Sequence, residues 1–381
     1  MSLSLTFAGA EVLLPGQGLV REEISIADEV ITEGAARAVA LDGYIVLPGI
    51  VDLHGDGFER HLAPRRGAMK QMDEGVIATE AELAANGITT AVMAQFWSWE
   101  GGVRGPDYAA QVFAAIANMR DRVVTDLVPQ LRFETHMLED YAALPARMAD
   151  WGVSYLVFND HLPHDRLAAG RVPPRLTGQA LKARRSPEAH LALLQQLHEN
   201  GPEVPAALDG LCDTLRAQGV ALGSHDDRSA QDRADWRARG VRISEFPETV
   251  EAAEAAKEVG DPVILGAPNV VRGGSHKGNA SALDLIAMGL CDAIASDYHY
   301  PSPRRAALML AGSGVLDLAA AWALVSSGPA RVLGLTDRGD LSPGKRADLV
   351  VLEADSKRVA LTMAGGRISY LNGDIAARVL R

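Results

Sequence analysis

Ile45-Val46-Leu47-Pro48-Gly49-Ile50-Val51-Asp52-Leu53-His54-Gly55-Asp56 is the stretch on which the fold turns. A β-branched run that ends in His-x-Asp puts two ligating side chains at the C-terminal tip of a buried strand. Residues two apart in a strand point to the same side, so His54 and Asp56 can reach one ion. Working outward, seven later apolar runs end in polar residues the same way. The predicted strands are 50–54, 88–94, 130–135, 153–158, 220–224, 241–245, 262–267 and 292–297. Helical periodicity falls between them over 73–86, 107–121, 249–259, 280–289 and 303–311, with Gly87 placed as a C-cap. Alternating β and α elements predict a parallel sheet, and eight strands predict a closed (β/α)8 TIM-like barrel. A doubly wound open sheet would want a glycine-rich phosphate turn after its first strand, where this chain has His54-Gly55-Asp56-Gly57.

The flanks are written in another style. Residues 1–46 carry short alternating apolar runs, such as Leu3-Leu5-Phe7 and Ile24-Ile26, and 341–381 repeat it at Leu349–Leu352, Val359-Leu361 and Ile368. Each flank alone is a poor domain. Together, 1–46 and 341–381 are expected to form one composite β-sandwich, leaving 47–340 to the barrel. The segment 162–218 is long for a strand connection and reads as a helical insertion, with Arg166, Arg171, Arg175, Lys182, Arg184 and Arg185 among its residues. Such an insertion is either a lid or binding loop, or a solvated helical excursion.

The chain's 381 residues suit one large barrel plus a minor domain, and 48% hydrophobic with 23% charged residues is ordinary for a soluble protein. A net charge of -12 argues against general nucleic-acid or anionic-membrane binding. Cys212 and Cys291 are too few for a disulfide framework and are expected as small apolar residues in a reducing compartment. There is no basic segment followed by an apolar leader, and no apolar stretch long enough to span a bilayer. The expectation is a cytoplasmic protein with neither a nucleic-acid nor a membrane partner.

If the elements form a barrel, catalytic groups should collect at the strand C-termini. Those ends read His54 and Asp56; Gln95; Glu134 and His136; Asn159, Asp160 and His161; His225, Asp226 and Asp227; Glu245; Asn269; Asp297. The predicted metal ligands are His54, Asp56, Glu134, His161, His225 and Asp297, a donor set that suits one or two divalent ions, zinc first, with manganese or iron as alternatives. Each has a plainer reading: a turn for His-Gly-Asp, a salt bridge from Glu134 to Arg132, a satisfied core imidazole for a lone His. Equivalent strand positions favour the ligand reading. Asp160, Asp226 and Asp227 are expected to orient the imidazoles or bind metal themselves. Asp297 is the predicted catalytic proton acceptor. His136 and His164 are weaker candidates on the same face, and His190 and His198 are expected to face solvent.

A second cluster, Gly266-Ala267-Pro268-Asn269-Val270-Val271-Arg272-Gly273-Gly274-Ser275-His276-Lys277-Gly278-Asn279, follows the seventh strand and precedes a helix. Glycines let backbone N–H groups approach an anion, and Asn269, Arg272, Gly273, Gly274, Ser275 and His276 are the predicted substrate contacts. Arg60, His61, Arg65 and Arg66 form another basic patch, from which Arg65 and Arg66 are also assigned to substrate. Cationic loops on an acidic protein predict a small, multiply charged anionic substrate.

At these residues the chain resembles the amidohydrolase superfamily. Pro48-Gly49-Ile50-Val51-Asp52-Leu53-His54 and Gly344-Lys345-Arg346-Ala347-Asp348-Leu349 carry the general likeness. Asn159-Asp160-His161, Ser224-His225-Asp226-Asp227, Glu245-Phe246-Pro247, Ser296-Asp297-Tyr298 and the stretch from Gly266 to His276 resemble a branch in the carbon–phosphorus lyase pathway. The resemblance implies a metal-dependent hydrolase that releases pyrophosphate from a ribose triphosphate carrying a phosphonate at C1. It also leaves room for a homodimer, because related barrels commonly pair. Much of the superfamily has His-x-His on its first strand and a bridging carboxylated lysine; this chain has His54-x-Asp56, and Glu134 is the expected substitute bridge. The alternative is an amidohydrolase acting on a C–N bond, which would have no need of a basic phosphate cradle.

Overall fold

The computed structural model describes residues 3–34, 36–63, 71–273 and 280–380. Eight parallel strands follow one another in chain order through one sheet, as a (β/α)8 barrel requires: β1 (Ile50–Gly55), β2 (Ile88–Trp97), β3 (Asp126–Glu134), β4 (Tyr155–Asn159), β5 (Ala221–His225), β6 (Ile243–Glu245), β7 (Val263–Gly266) and β8 (Ala293–Ala295). A parallel bridge between Gly55 and Asp297 ties the end of β1 to the residues after β8. The barrel expected from the sequence is therefore present, with β2 running three residues longer and β8 shorter than the apolar runs suggest.

The described chain forms two compact units, Met1–Met93 with Asn118–Val128 and Pro262–Arg381, and Ala94–Ala117 with Pro129–Asp261. The first unit holds the sandwich built from both termini. One sheet pairs Val30–Thr32, Ile24–Ala27, Leu5–Ala8 and Arg37–Ala40 in that order. The other runs Arg367–Leu371, Val359–Ala364, Leu349–Glu353, Tyr44–Pro48, Glu11–Leu14 and Gly18–Val20. Alternation places Leu5, Phe7, Ile24 and Ile26 inward, where they meet Val46, Val351 and Leu361 in one core. Residues more than 300 apart in sequence pair directly, as at Val46 and Val351.

In the second unit the insertion supplies α1 (His164–Ala168), α2 (Leu176–Lys182), α3 (Pro187–Glu199) and α4 (Val204–Ala217). It has an apolar core of its own: Leu162, Leu167, Leu176, Leu194 and Leu197 close around Trp99. His190 is fully buried there beside Trp99, contrary to the solvent-facing position expected from its helix. The reason is register: Leu194 and Leu197 share its inward stripe at helical spacing.

Asp348 anchors the sandwich from within the Gly-Lys-Arg-Ala-Asp-Leu stretch. It accepts from Gly365 N–H (2.7 Å) and from Arg346 Nη1 (2.7 Å). Burial outweighs both and pushes its carboxyl up to about 6 from an ordinary 3.8. The fold thus prefers the protonated form. That contribution is fully present below the unfolded-state value and is lost as pH rises through about 6. Urea unfolding of Asp348→Asn is expected to lose the part of the stability slope that the native chain shows between about pH 4 and 6.

Candidate metal and phosphate site

In the first unit the site begins on β1. Asp52 and His54 alternate onto one side of the strand, and both are fully buried. Asp52 accepts from Ser296 N–H (2.8 Å) and Ser296 Oγ (2.5 Å). Burial raises its carboxyl to about 6, against those hydrogen bonds and the nearby His54. The next rungs interlock: Asp297 N–H donates to the His54 carbonyl, and Asp56 N–H donates to the Asp297 carbonyl, both at 2.9 Å. His54, Asp56 and Asp297 are thus gathered at one pair of strand ends. Gly55 is required at this point. A Cβ there would lie 2.8 Å from Tyr300 Cε1 and 2.9 Å from both Asp52 Oδ2 and Ser296 Oγ.

In the second unit, β3, β4 and β5 present Glu134, His161 and His225. Glu134 is fully buried. Its Oε1 takes a hydrogen bond from His161 Nδ1 (2.5 Å), and its Oε2 takes bonds from His161 N–H (3.1 Å) and Trp99 Nε1 (3.2 Å). Burial works against a charged His161, but Glu134 outweighs it and raises the imidazole above its ordinary value. His225 Nδ1 lies 3.1 Å from Asp226 Oδ1, and the His161 and His225 rings meet edge to face.

Ligating atoms of His161, His225 and Asp226 fall within 4.8 Å of one another. Two imidazoles with a carboxylate suit a borderline divalent ion, and Glu134 behind His161 is the carboxylate partner that metal-bound imidazoles commonly carry. On donor chemistry, this group fits a metal.

Three of the residues just past strand ends hold left-handed backbones: Asp226 (φ 61), Phe246 (φ 55) and Asp297 (φ 54). Such a conformation costs a non-glycine residue about 1–3 kcal/mol and persists where surroundings over-determine it, commonly at functional sites. Phe246 packs edge-on against His225.

Other strand-end groups also make hydrogen bonds within the fold. Asp227 accepts from Ser224 Oγ (2.8 Å), Ser244 Oγ (2.9 Å) and Arg233 Nη1 (3.1 Å). Arg233 goes on to Asp261 at 3.0 Å, making a buried ionic network beneath His225. Gln95 donates to the carbonyls of Phe96 and Val103, and Glu245 accepts from Tyr155 Oη (2.5 Å) and Gln130 Nε2 (3.1 Å). Asn159 accepts from Arg132 and donates to the Val157 carbonyl.

The anion loop differs from its expected form. Ala267–Arg272 is itself a short helix, so Asn269 and Arg272 stand on a helix directly after β7. Arg272 donates to Asn269 Oδ1 (2.6 Å) and Tyr298 Oη (2.9 Å), and Gly273 follows as a left-handed C-cap. Arg65, Arg66, Gly274, Ser275 and His276 lie outside the described residues. Arg60 and His61 both pair with Glu82, whose single carboxylate compensates Arg60.

Arg132 was overlooked as a site residue. It is buried, lies over the Phe96 ring at 4.0 Å, and donates to His225 Nε2 at 3.0 Å. Its signal was its place two residues before Glu134, on the same face of β3. Asp52 carried the same signal relative to His54.

Residues 276–373 match the amidohydrolase family. The chain is 34% identical over 323 residues to alpha-D-ribose 1-methylphosphonate 5-triphosphate diphosphatase of Escherichia coli (strain K12), covering 81% of this chain and 83% of that protein. Among solved structures it resembles N-acetylglucosamine-6-phosphate deacetylase from Pasteurella multocida, with a TM-score of 0.65, 10% identity and coverage of 97% and 100%. It also resembles N-acyl-D-glutamate deacylase from Bordetella bronchiseptica, solved with zinc and a phosphonate inhibitor, with a TM-score of 0.60, 16% identity and 97% of each chain covered. At those identities the two structures bear on the fold alone.

The Arg233 network gives a test that separates support from ligation. Asp227→Ala removes one of two carboxylates from a buried guanidinium and is expected to cost roughly 3–5 kcal/mol by denaturant titration. Metal content of the folded variant should be unchanged; loss of metal would make Asp227 a ligand.

Proposed function

The chain belongs to the amidohydrolase family, and from that premise we propose that it is a metal-dependent diphosphatase. Its substrate would be a ribose 5-triphosphate with a methylphosphonate at C1, cleaved to the 5-phosphate and pyrophosphate. The observation that carries this reading is the 34% identity to the diphosphatase across most of both chains.

His54, Asp56, His161, His225, Asp226 and Asp297 are the residues proposed to hold one or two divalent ions, with Glu134 as the carboxylate behind His161. Glu134 ties His161 to that group through both of its oxygens. A bound ion would supply Lewis acidity and neutralise phosphoryl charge. Asp297 takes the proton of the attacking water, held in place by backbone hydrogen bonds to β1 on either side. Phosphates are met by Arg272, Asn269 and the Gly273-Gly274-Ser275-His276 segment, with Arg65 and Arg66. Arg272 suits this role because its described partners, Asn269 and Tyr298, are neutral and leave its charge to a ligand. Arg60 is unsuited because Glu82 already compensates it.

Phosphorus NMR of the enzyme with the triphosphate should show pyrophosphate and the 5-phosphate in equal amounts. Orthophosphate as the first product, or turnover of N-acyl substrates in its place, would overturn the proposal. Asp297→Asn is expected to lower kcat by about 10²–10⁴-fold. Metal content measured on the same sample separates proton transfer from ligation, and full activity would remove Asp297 from the mechanism.

A further inference from the structure

We propose a second site for a divalent transition-metal ion, formed by His136, Asp160 and His164 on the wall of a cavity of about 650 Å³. Ligating atoms of the three lie within 4.8 Å of one another. The cavity is also lined by His198, Pro202 and Trp236, and its lining includes none of Glu134, His161 and His225. These three residues are a different set from the group described above, and the inference does not depend on the diphosphatase reading.

Three imidazoles follow one another here with tilted ring planes, and two of them face one carboxylate. The His136 and His164 ring centroids are 4.8 Å apart, and those of His164 and His198 are 5.0 Å apart. His164 Nε2 faces Asp160 Oδ2 at 3.0 Å and Oδ1 at 3.1 Å, and His136 Nδ1 stands 3.6 Å from Oδ1.

The other nitrogen of His164 completes the site. His164 Nδ1 and His198 Nδ1 are 2.8 Å apart, so one must donate to the other. With the hydrogen on His164 Nδ1, His164 Nε2 presents its lone pair toward Asp160, and a cation between them replaces the proton that otherwise joins them. His198 then fixes the His164 tautomer from behind, as an outer-shell partner does at metal-bound imidazoles. Two imidazoles and a carboxylate, with the cavity open beside them, match a zinc-class ion with room for an exchangeable ligand.

Cobalt(II) is the probe. The full chain, stripped with chelator, is titrated while its visible d–d absorption is followed. His161→Ala/His225→Ala should retain the equivalent assigned here, and His136→Ala/His164→Ala should lose it together with its absorption band. His198→Ala should bind that ion about 10–100-fold more weakly. Equal stoichiometry and spectrum in the native chain and the His136/His164 double variant would overturn the proposal. If that double variant does not fold, His198→Ala decides: unchanged affinity overturns the site, and the stated weakening supports it.

Discussion

The constraint on which the candidate site depends is the seating of Ser296 on the buried carboxylate of Asp52. A carboxylate in the middle of a strand, with no water around it, would cost several kcal/mol if left unsatisfied. Ser296 meets it with two donors, one from the backbone and one from the hydroxyl. That fixes the end of β8 against β1 in a single register, and the reciprocal bonds of His54, Asp56 and Asp297 follow from it. Gly55 is the steric condition of the same contact, because any side chain there would force Asp52, Ser296 and Tyr300 apart. Two metal-type donors and the proposed proton acceptor are therefore placed by a contact that itself does no chemistry.

The second unit solves the same problem by other means. His225 stands on a strand whose next turn is pinned by Asp227 to two serines and Arg233. His161 is held by Glu134, which is in turn capped by Trp99. Trp99 is pressed into place by the leucines of the insertion and by Arg185, which donates to its carbonyl at 2.7 Å. The insertion thus does more than cover a loop, because its apolar core reaches Glu134 through one indole. The left-handed residues Asp226 and Phe246 fit this picture: the backbone is held in a costly conformation just where fixed elements meet the group around His225.

Much of this was legible in the sequence, and the reason is periodicity. Buried parallel strands are short β-branched runs, amphipathic helices lie between them, and polar residues at the run ends mark one face. That rule places His54, His161 and His225 at or just past strand ends, where the structure has them. The composite sandwich was legible because Leu5, Phe7, Ile24 and Ile26 alternate in the same style as the C-terminal strands that share their core. What the sequence could not display was pairing over long separations. Asp227 and Asp226 are neighbours of the same type, yet one is tied into a buried network while the other lies beside His225. Arg60 and His61 look like a cationic patch until Glu82, on a different helix, is placed against both. His190 reads as exposed until the insertion acquires a core.

The same distinction bears on how an acidic protein could favour a polyanion. Counting basic residues does not identify a phosphate site, because an arginine already facing a carboxylate offers an anion little net attraction and must be desolvated along with its partner. What matters is an oriented guanidinium with neutral anchors. Arg272 meets that condition, being positioned by an amide oxygen and a phenol. Arg132 is oriented by Asn159, the His225 ring and the face of Phe96. A buried guanidinium beside an imidazole also sets a local limit on further positive charge, so cations admitted near His225 must be balanced by acids such as Asp226 and Glu134. Selectivity at such a site follows from which charges remain uncompensated after folding rather than from the net charge of the chain.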